Sequence, residues 1–467
     1  MRASAVCENA GVPAASLTCE GFLAQAAATS IGLGMPNMPV AMVPGHVGAQ
    51  SKEELRKNIF EVTLDRVIDN LTRMPPPASA RGEPKARDIV VKGGFDEVNR
   101  HFYKNELSDG LPIVPPTLER IEAFLRFTDR DPDEVLGIIL PDSRAATIWS
   151  IAVNGVMAGC RPEYMPVLIA AVEVMCDSRY GVEHSCNTPG AEALIIINGP
   201  IIKQLGFNYQ QGALRDGIMP NTAIGRFWRL YMRNVAGFLH NKTDKATHGG
   251  TWRVVLAENE DVASEIGWEP NSVEMGFSAG DNVVTVARYT GGGAFPSVMG
   301  DTPETLLPYL NDSVGRMHSW HIHFTEASGD GSLRPLVVIS PILARTIAKA
   351  GWSKHDVKEY FYQHTRMTAG KFEHFLREWT VKGTWNIETA VKEGRMPAHF
   401  LESNDPERLV PIVWHAKDFM IVVSGDLLRN NAFVFAHNAY MGYPTGKKIR
   451  LVADWDSRLA EAQKAYG

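Results

Sequence analysis

Residues 11–45 read GVPAASLTCEGFLAQAAATSIGLGMPNMPVAMVPG. Two strand-sized apolar runs, VPAASLTC and MPVAMVPG, bracket a longer run, EGFLAQAAATSIGLG, that has the length of a helix and stops at Gly32 and Gly34. Working outward, RASAVCENAG on the N-terminal side reads as a short helix ended by Gly11, a residue suited to a left-handed stop. SKEELRKNIFEVTLDRVIDNLT on the other side reads as a long helix, with Ser51 and Glu54 at capping-box spacing. The order helix–strand–helix–strand–helix implies parallel strands joined by helical crossovers. The pattern opens on a helix that no strand feeds. The expectation for residues 1–72 is therefore a partial parallel α/β domain that lacks part of its sheet.

MPPPASARGEPKARD follows, and the Pro-rich, charged stretch 73–92 reads as an extended linker. Residues 93–467 read as a larger mixed α/β domain, with a candidate sub-boundary near 240–250. In it, PPTLERIEAFLRF is an amphipathic helix capped by Thr117, and MPVLIAAVEVMCD is a buried helix. ALIIINGP is a buried strand, and NTAIGRFWRLYMRNVAG is a helix capped by Asn221. TWRVVLAENE, NVVTVARYT, RPLVVISP and FMIVVSG are further strands, and helices start near Pro341, Ser353 and Ser457. No internal repeat is visible. The class is α/β.

Composition narrows the function. The chain has 467 residues, 45% hydrophobic and 21% charged, which is ordinary for a globular protein. A net charge of −6 without a basic field argues against a nucleic-acid partner. The longest apolar run, PVLIAAVEVMC, is too short to span a bilayer, and no signal peptide is apparent behind Arg2. Five cysteines, at 7, 19, 160, 176 and 186, are odd in number and irregular in spacing. That is not a disulfide framework, and it points to a reducing, cytoplasmic setting with no membrane partner.

Several places could carry chemistry. Cys19 lies where a strand ends and a helix begins, the end of a parallel sheet at which ligands bind. A helix start also favours thiolate, and Glu20 beside it could act as acid, base or ligand. The alternative is a buried structural cysteine. GVEHSCNTPG offers His184 and Cys186, a thiol two residues from an imidazole, or else a loop that merely contains both. Arg226, Arg229 and Arg233 share a helix face that could fork onto a carboxylate or phosphate, or be solvated. Asn221, Arg226 and Asp109 are the candidate substrate-binding residues. Glu258, Asn259 and Glu260 close a strand, where carboxylates serve acid–base work and turns alike.

In the stretch MHSWHIHFTE, Trp320, Ile322 and Phe324 alternate with Ser319, His321, His323 and Thr325 as in a strand. His321 and His323 would then face one way, like two ligands of one zinc or iron ion, with His318 a candidate third. A solvent-facing strand face is the other reading. No Rossmann glycine motif, P-loop, CxxC, HExxH or G-x-S-x-G occurs.

Gly11-Val12-Pro13, Cys19-Glu20, Phe22 and Gly34-Met35-Pro36 with Pro39 resemble the later half of the UGSC-like domain. That family is named for a selenocysteine- or cysteine-Gly-Ser-Cys motif. SDGLPIVPPT, NGVMAGCRPEYMPV, NGPI, NTAIGR and AENED with WEP and GF resemble the long uncharacterised proteins associated with it. The half-domain carrying the Cys motif is missing here. The resemblance implies a split enzyme, completed by a small α/β subunit bearing that motif. A truncated or relic domain is the rival explanation.

The resemblance also implies thiol chemistry, nucleophilic or redox, on a small-molecule substrate, with an anionic one among the candidates. Cys19 and Glu20 would line a shared oxidoreductase-like site, with Cys186 and His184 as further catalytic candidates. A metal-dependent hydrolase or lyase built on His321 and His323 is the second expectation. A non-catalytic scaffold subunit is the third.

Overall fold

The structure, a computed structural model, describes residues 1–73, 84–85, 87–250, 254–318, 331–378, 385–438 and 441–466. It is α/β throughout, as the sequence implies. In the N-terminal unit, β1 (Ser16–Cys19) pairs in parallel with β2 (Val40–Val43), and the helix Leu23–Gly32 makes the crossover. Ser51 and Glu54 form both arms of the capping box. The helix they start continues to Thr72 through a π turn at Ile59–Thr63. That turn aims the buried Thr63 hydroxyl at Met42 O, 2.9 Å away, and so ties the helix to β2.

This unit buries only a small set of side chains, among them Ala5, Ala26, Met38, Ala41 and Val43. Val6, Leu17, Ile31, Phe60 and Ile68 are each more than half exposed. Leu64, Ile68 and Leu71, at i, i+4 and i+7, lay an apolar stripe along the outer face of the long helix.

Most of the linker, residues 74–83 and 86, lies outside the described residues. Beyond it, β3 (Val135–Ile139) and β4 (Arg144–Thr147) form a small antiparallel pair. The large sheet is built from β5 (Glu192–Asn198), β6 (Val255–Ala257), β7 (Val283–Phe295), β8 (Leu336–Ile339), β11 (Met420–Val423) and β12 (Ala432–His437). Two further strands, β9 (Arg366–Thr368) and β10 (Leu409–Pro411), pair apart from it. The last strand, β13 (Thr445–Lys448), joins the first part of β7. Because β5 and β6 pair directly, the chain crosses residues 240–250 within a single sheet.

The order β11-β8-β12-β7-β5-β6 is a palindrome of pairings. β5 and β6 run parallel, as do β8 and β11, and each half then returns antiparallel to the centre as β7 or β12. One strand topology is thus used twice, although no repeat is visible in the sequence. Shared topology asks only for apolar strands in the same order, and the helices inserted between them differ completely.

The edges of this sheet meet. Asn259 N donates to Val423 O at 2.7 Å, and Ser424 Oγ to Ala257 O at 2.8 Å, so β6 and β11 touch at their C-terminal ends. Alternation sorts the side chains. Leu194, Ile196, Leu256, Ala287, Val338, Val422 and Phe435 point into one inner cluster. Ile195, Ile197, Val255 and Val286 pack outward against the helices Ile148–Ala158, Met165–Met175 and Met219–Asn234. Val337, Ile339, Ile421 and Val434 do the same against the helices of the second half.

One local expectation is corrected. Asn221 is not a cap, because the helix already starts at Met219, with Pro220 in its first turn, where proline is tolerated. His318 closes the helix Pro303–His318, and the alternating stretch that follows it, 319–325, lies outside the described residues. Among the described residues, no helix is long and apolar enough to cross a membrane.

Candidate functional site

Cys19 ends β1, and Glu20 opens the single turn that leads into the helix Leu23–Gly32. Glu20 Oε2 accepts a hydrogen bond from Gly45 N at 3.3 Å, across the ends of the two parallel strands. Lys245 of the large unit reaches over: its Nζ donates to Gly21 O at 2.8 Å and stands 5.7 Å from the centre of the Phe22 ring. Its backbone N–H donates to Cys186 O at 2.9 Å. Arg2 pairs with Glu183, the neighbour of His184, at 3.1 Å. The four catalytic candidates, Cys19, Glu20, His184 and Cys186, therefore gather at one junction, although about 165 residues separate the two pairs.

Gly32 secures the other side of this junction. A Cβ there would lie 2.3 Å from Pro141 O. A cleft of about 300–1,000 Å³ suits a small molecule; the open one here measures ≈ 430 Å³ and is lined by Met1, Arg2, Leu17, Cys19, Phe22 and Gln25.

The two cysteines differ in kind. Cys19 is half-buried on the cleft wall. Cys186 is buried, with a left-handed φ of 53°. Its Sγ accepts from Arg229 Nη1 at 3.6 Å, and no hydrogen bond joins it to His184 among the described residues. Burial pushes the Cys186 thiol up to about 12, only partly offset by Arg229. Burial also lowers the pKa of His184, which favours the neutral ring. Arg229 is itself claimed by Glu192 at 2.9 Å and Asp244 at 3.5 Å. Below it, the fully buried Arg288 donates to Gly181 O at 2.6 Å, to Ser185 Oγ at 3.0 Å and to Met441 O. These ties hold the Cys186 loop in place with its thiol buried.

The candidate substrate-binding residues are also spoken for. Arg226 forks onto Asp109, Nε to Oδ2 at 3.0 Å and Nη2 to Oδ1 at 2.9 Å, so the structure does bring these two together. They satisfy each other and tie the 108–112 loop to the helix Met219–Asn234. Asn221 is fully buried and spends its amide on Asn208 O, Asn208 N and Val255 O. Arg233 donates to Glu106 O at 2.7 Å.

His321 and His323 lie outside the described residues. His318 is buried, with Nδ1 2.9 Å from Val314 O and Nε2 3.1 Å from Phe435 O, so both nitrogens face carbonyls rather than an open metal site. Among the described residues, no group of three or more His, Cys, Asp and Glu side chains could hold a metal ion.

A second polar centre lies where β6 and β11 meet. Glu258, fully buried, accepts from Asn198 Nδ2 at 2.8 Å, from Asn271 N at 2.7 Å and from Lys354 Nζ at 3.2 Å. Glu274 accepts from Lys358 Nζ at 2.6 Å and lies 3.6 Å from Lys354. Burial raises the pKa of Glu260 and lowers that of Lys358. The sequence flags Glu258 and Glu260 but misses the lysines. In SKHDVKEY they read as a solvated helix face, and only the packing buries them.

Residues 1–73 match the model of the UGSC family, and the N-terminal unit is UGSC-like. No curated protein and no solved structure matches the chain.

Proposed function

We propose that this chain is the large subunit of a heteromeric, cytoplasmic enzyme that performs thiol chemistry on a small molecule at a cleft in its N-terminal unit. The observation that carries this reading is Cys19: a half-buried thiol at the end of a parallel strand, on the wall of an open cleft. A substrate can reach it, whereas Cys186 is buried and its thiol is held protonated. Glu20, at the same strand end, is the neighbouring proton acceptor. In an oxidoreductase reaction, Cys19 Sγ and a cysteine of the partner close a disulfide. The substrate takes up the two electrons and two protons released.

The partner is a small α/β polypeptide. A two-stranded sheet leaves strand edges open to pairing. Leu17, Ile31 and the stripe Leu64, Ile68 and Leu71 supply apolar surface for it to cover. Each such side chain, once fully buried, contributes roughly 1.5–3 kcal/mol. Five free cysteines suit a reducing compartment.

The test has two arms. Iodoacetamide labelling of the folded chain, read by peptide mass spectrometry across pH, is expected to modify Cys19 and to spare Cys186. The reverse order would move the reactive centre to Cys186. Native mass spectrometry of the complex from its own cells is expected to show a small second chain. A stable, active species of this polypeptide alone would refute the heteromer.

A further inference from the structure

A second cavity, of ≈ 340 Å³, opens beside the start of β11 and shares no lining residue with the Cys19 cleft. Its walls mix two chemistries. Phe277, Phe419 and Met420 give it apolar sides, and the latter two are buried. Arg179, Arg334, Lys358 and Lys417 give it cations.

The charge does not cancel. Lys358 is matched by Glu274 at 2.6 Å, and Arg334 by Asp418 at 3.1 Å. Asp177, the other carboxylate on the wall, is taken by Lys447 at 2.7 Å. Arg179 and Lys417 form no salt bridge among the described residues, although Arg179 also acts on Asp177 through space; four cations against two carboxylates on the wall leave the cavity two positive charges in excess. Low-dielectric walls concentrate such a field inward.

We propose that this cavity binds a small organic anion, a carboxylate carried on an apolar or aromatic body. The head meets Arg179 and Lys417 at the rim, and the body lies against Phe277, Phe419 and Met420. A neutral molecule of the same shape would leave the two cations unanswered. A bare inorganic anion would leave the apolar wall unused.

Isothermal titration of the full chain with benzoate, benzamide and inorganic phosphate tests this. Benzoate is expected to bind about ten-fold or more tightly than either of the others. The double variant Arg179→Ala/Lys417→Ala, whose two side chains are exposed and outside every ion pair above, is expected to keep its melting temperature. Its affinity for benzoate is expected to fall to that for benzamide. Phe277→Ala is expected to weaken benzoate and leave phosphate unchanged. Equal binding of benzoate and benzamide, no binding of benzoate, or undiminished affinity in the double variant would each overturn the proposal.

Discussion

Lys354 Nζ lies 3.2 Å from Glu258 Oε1, and both side chains are almost wholly shut off from water, at 5% and 0% exposure. The pair joins the helix Lys354–His364 to the end of β6, beside the place where the sheet closes on itself. Lys354→Met leaves the buried Glu258 without its cation, whereas Glu258→Gln leaves Lys354 with Glu274 at 3.6 Å. Lys354→Met alone is expected to cost about 3–5 kcal/mol in urea unfolding, and Glu258→Gln alone less. The double variant should lose clearly less than the sum of the two, because it leaves no charge unpaired. Strictly additive losses would mean the two residues act independently.

Stability should fall on the alkaline side. Burial raises the thiols of Cys186 to about 12 and of Cys176 to about 11. Above about pH 9 the unfolded chain releases these protons while the folded chain keeps them, so the unfolded state binds fewer and unfolding is favoured as pH rises. The loss should run from about pH 9 towards 11–12. Cys186→Ala should flatten the slope of melting temperature against pH in that window. An unchanged slope would show that this thiol is not held protonated by the fold.

Arg226 and Asp109 were candidates for substrate binding, yet they form a closed bidentate pair. Arg226→Lys keeps the charge and loses the fork. Thermal unfolding should register roughly 1–3 kcal/mol of destabilisation. If the pair only ties the loop to the helix, labelling of Cys19 and its pH profile should stay as in the parent chain. A changed profile would restore the pair to the site.

Gly199 directly follows β5 with φ +98°, and a Cβ there would stand 2.4 Å from Asp281 O. Neither the backbone angle nor the space admits alanine. Gly199→Ala is expected to destabilise the chain by at least about 2 kcal/mol, measured by urea midpoint. A neutral substitution would mean that the β5 end and the 281–282 turn move apart freely.

Much of the fold was legible because local physics writes it locally. The Ser51–Glu54 box, the stop at Gly11 and the alternation of helix with strand over 1–72 all appear as read. So do the buried strands ALIIINGP, RPLVVISP and FMIVVSG and the Thr117 cap. Strand β12, AFVFAH, went unread, although its apolar run carries the same signal.

Sequence alone determined the α/β class, the elements and the chemical inventory: two cysteines with carboxylate or imidazole neighbours, and arginines along one helix. Which of these meet was decided by tertiary structure. Lys245 brings the Cys19 turn to the Cys186 loop, and burial raises the pKa of the second thiol while leaving the first at a cleft. The doubled topology and the meeting of β6 with β11 follow from long-range pairing that no local pattern encodes. Lys354 and Lys358 make the same point: a lysine pair reads as solvated until a third element covers it. Periodicity and capping are properties of neighbouring residues, whereas burial and charge pairing belong to segments far apart in the chain.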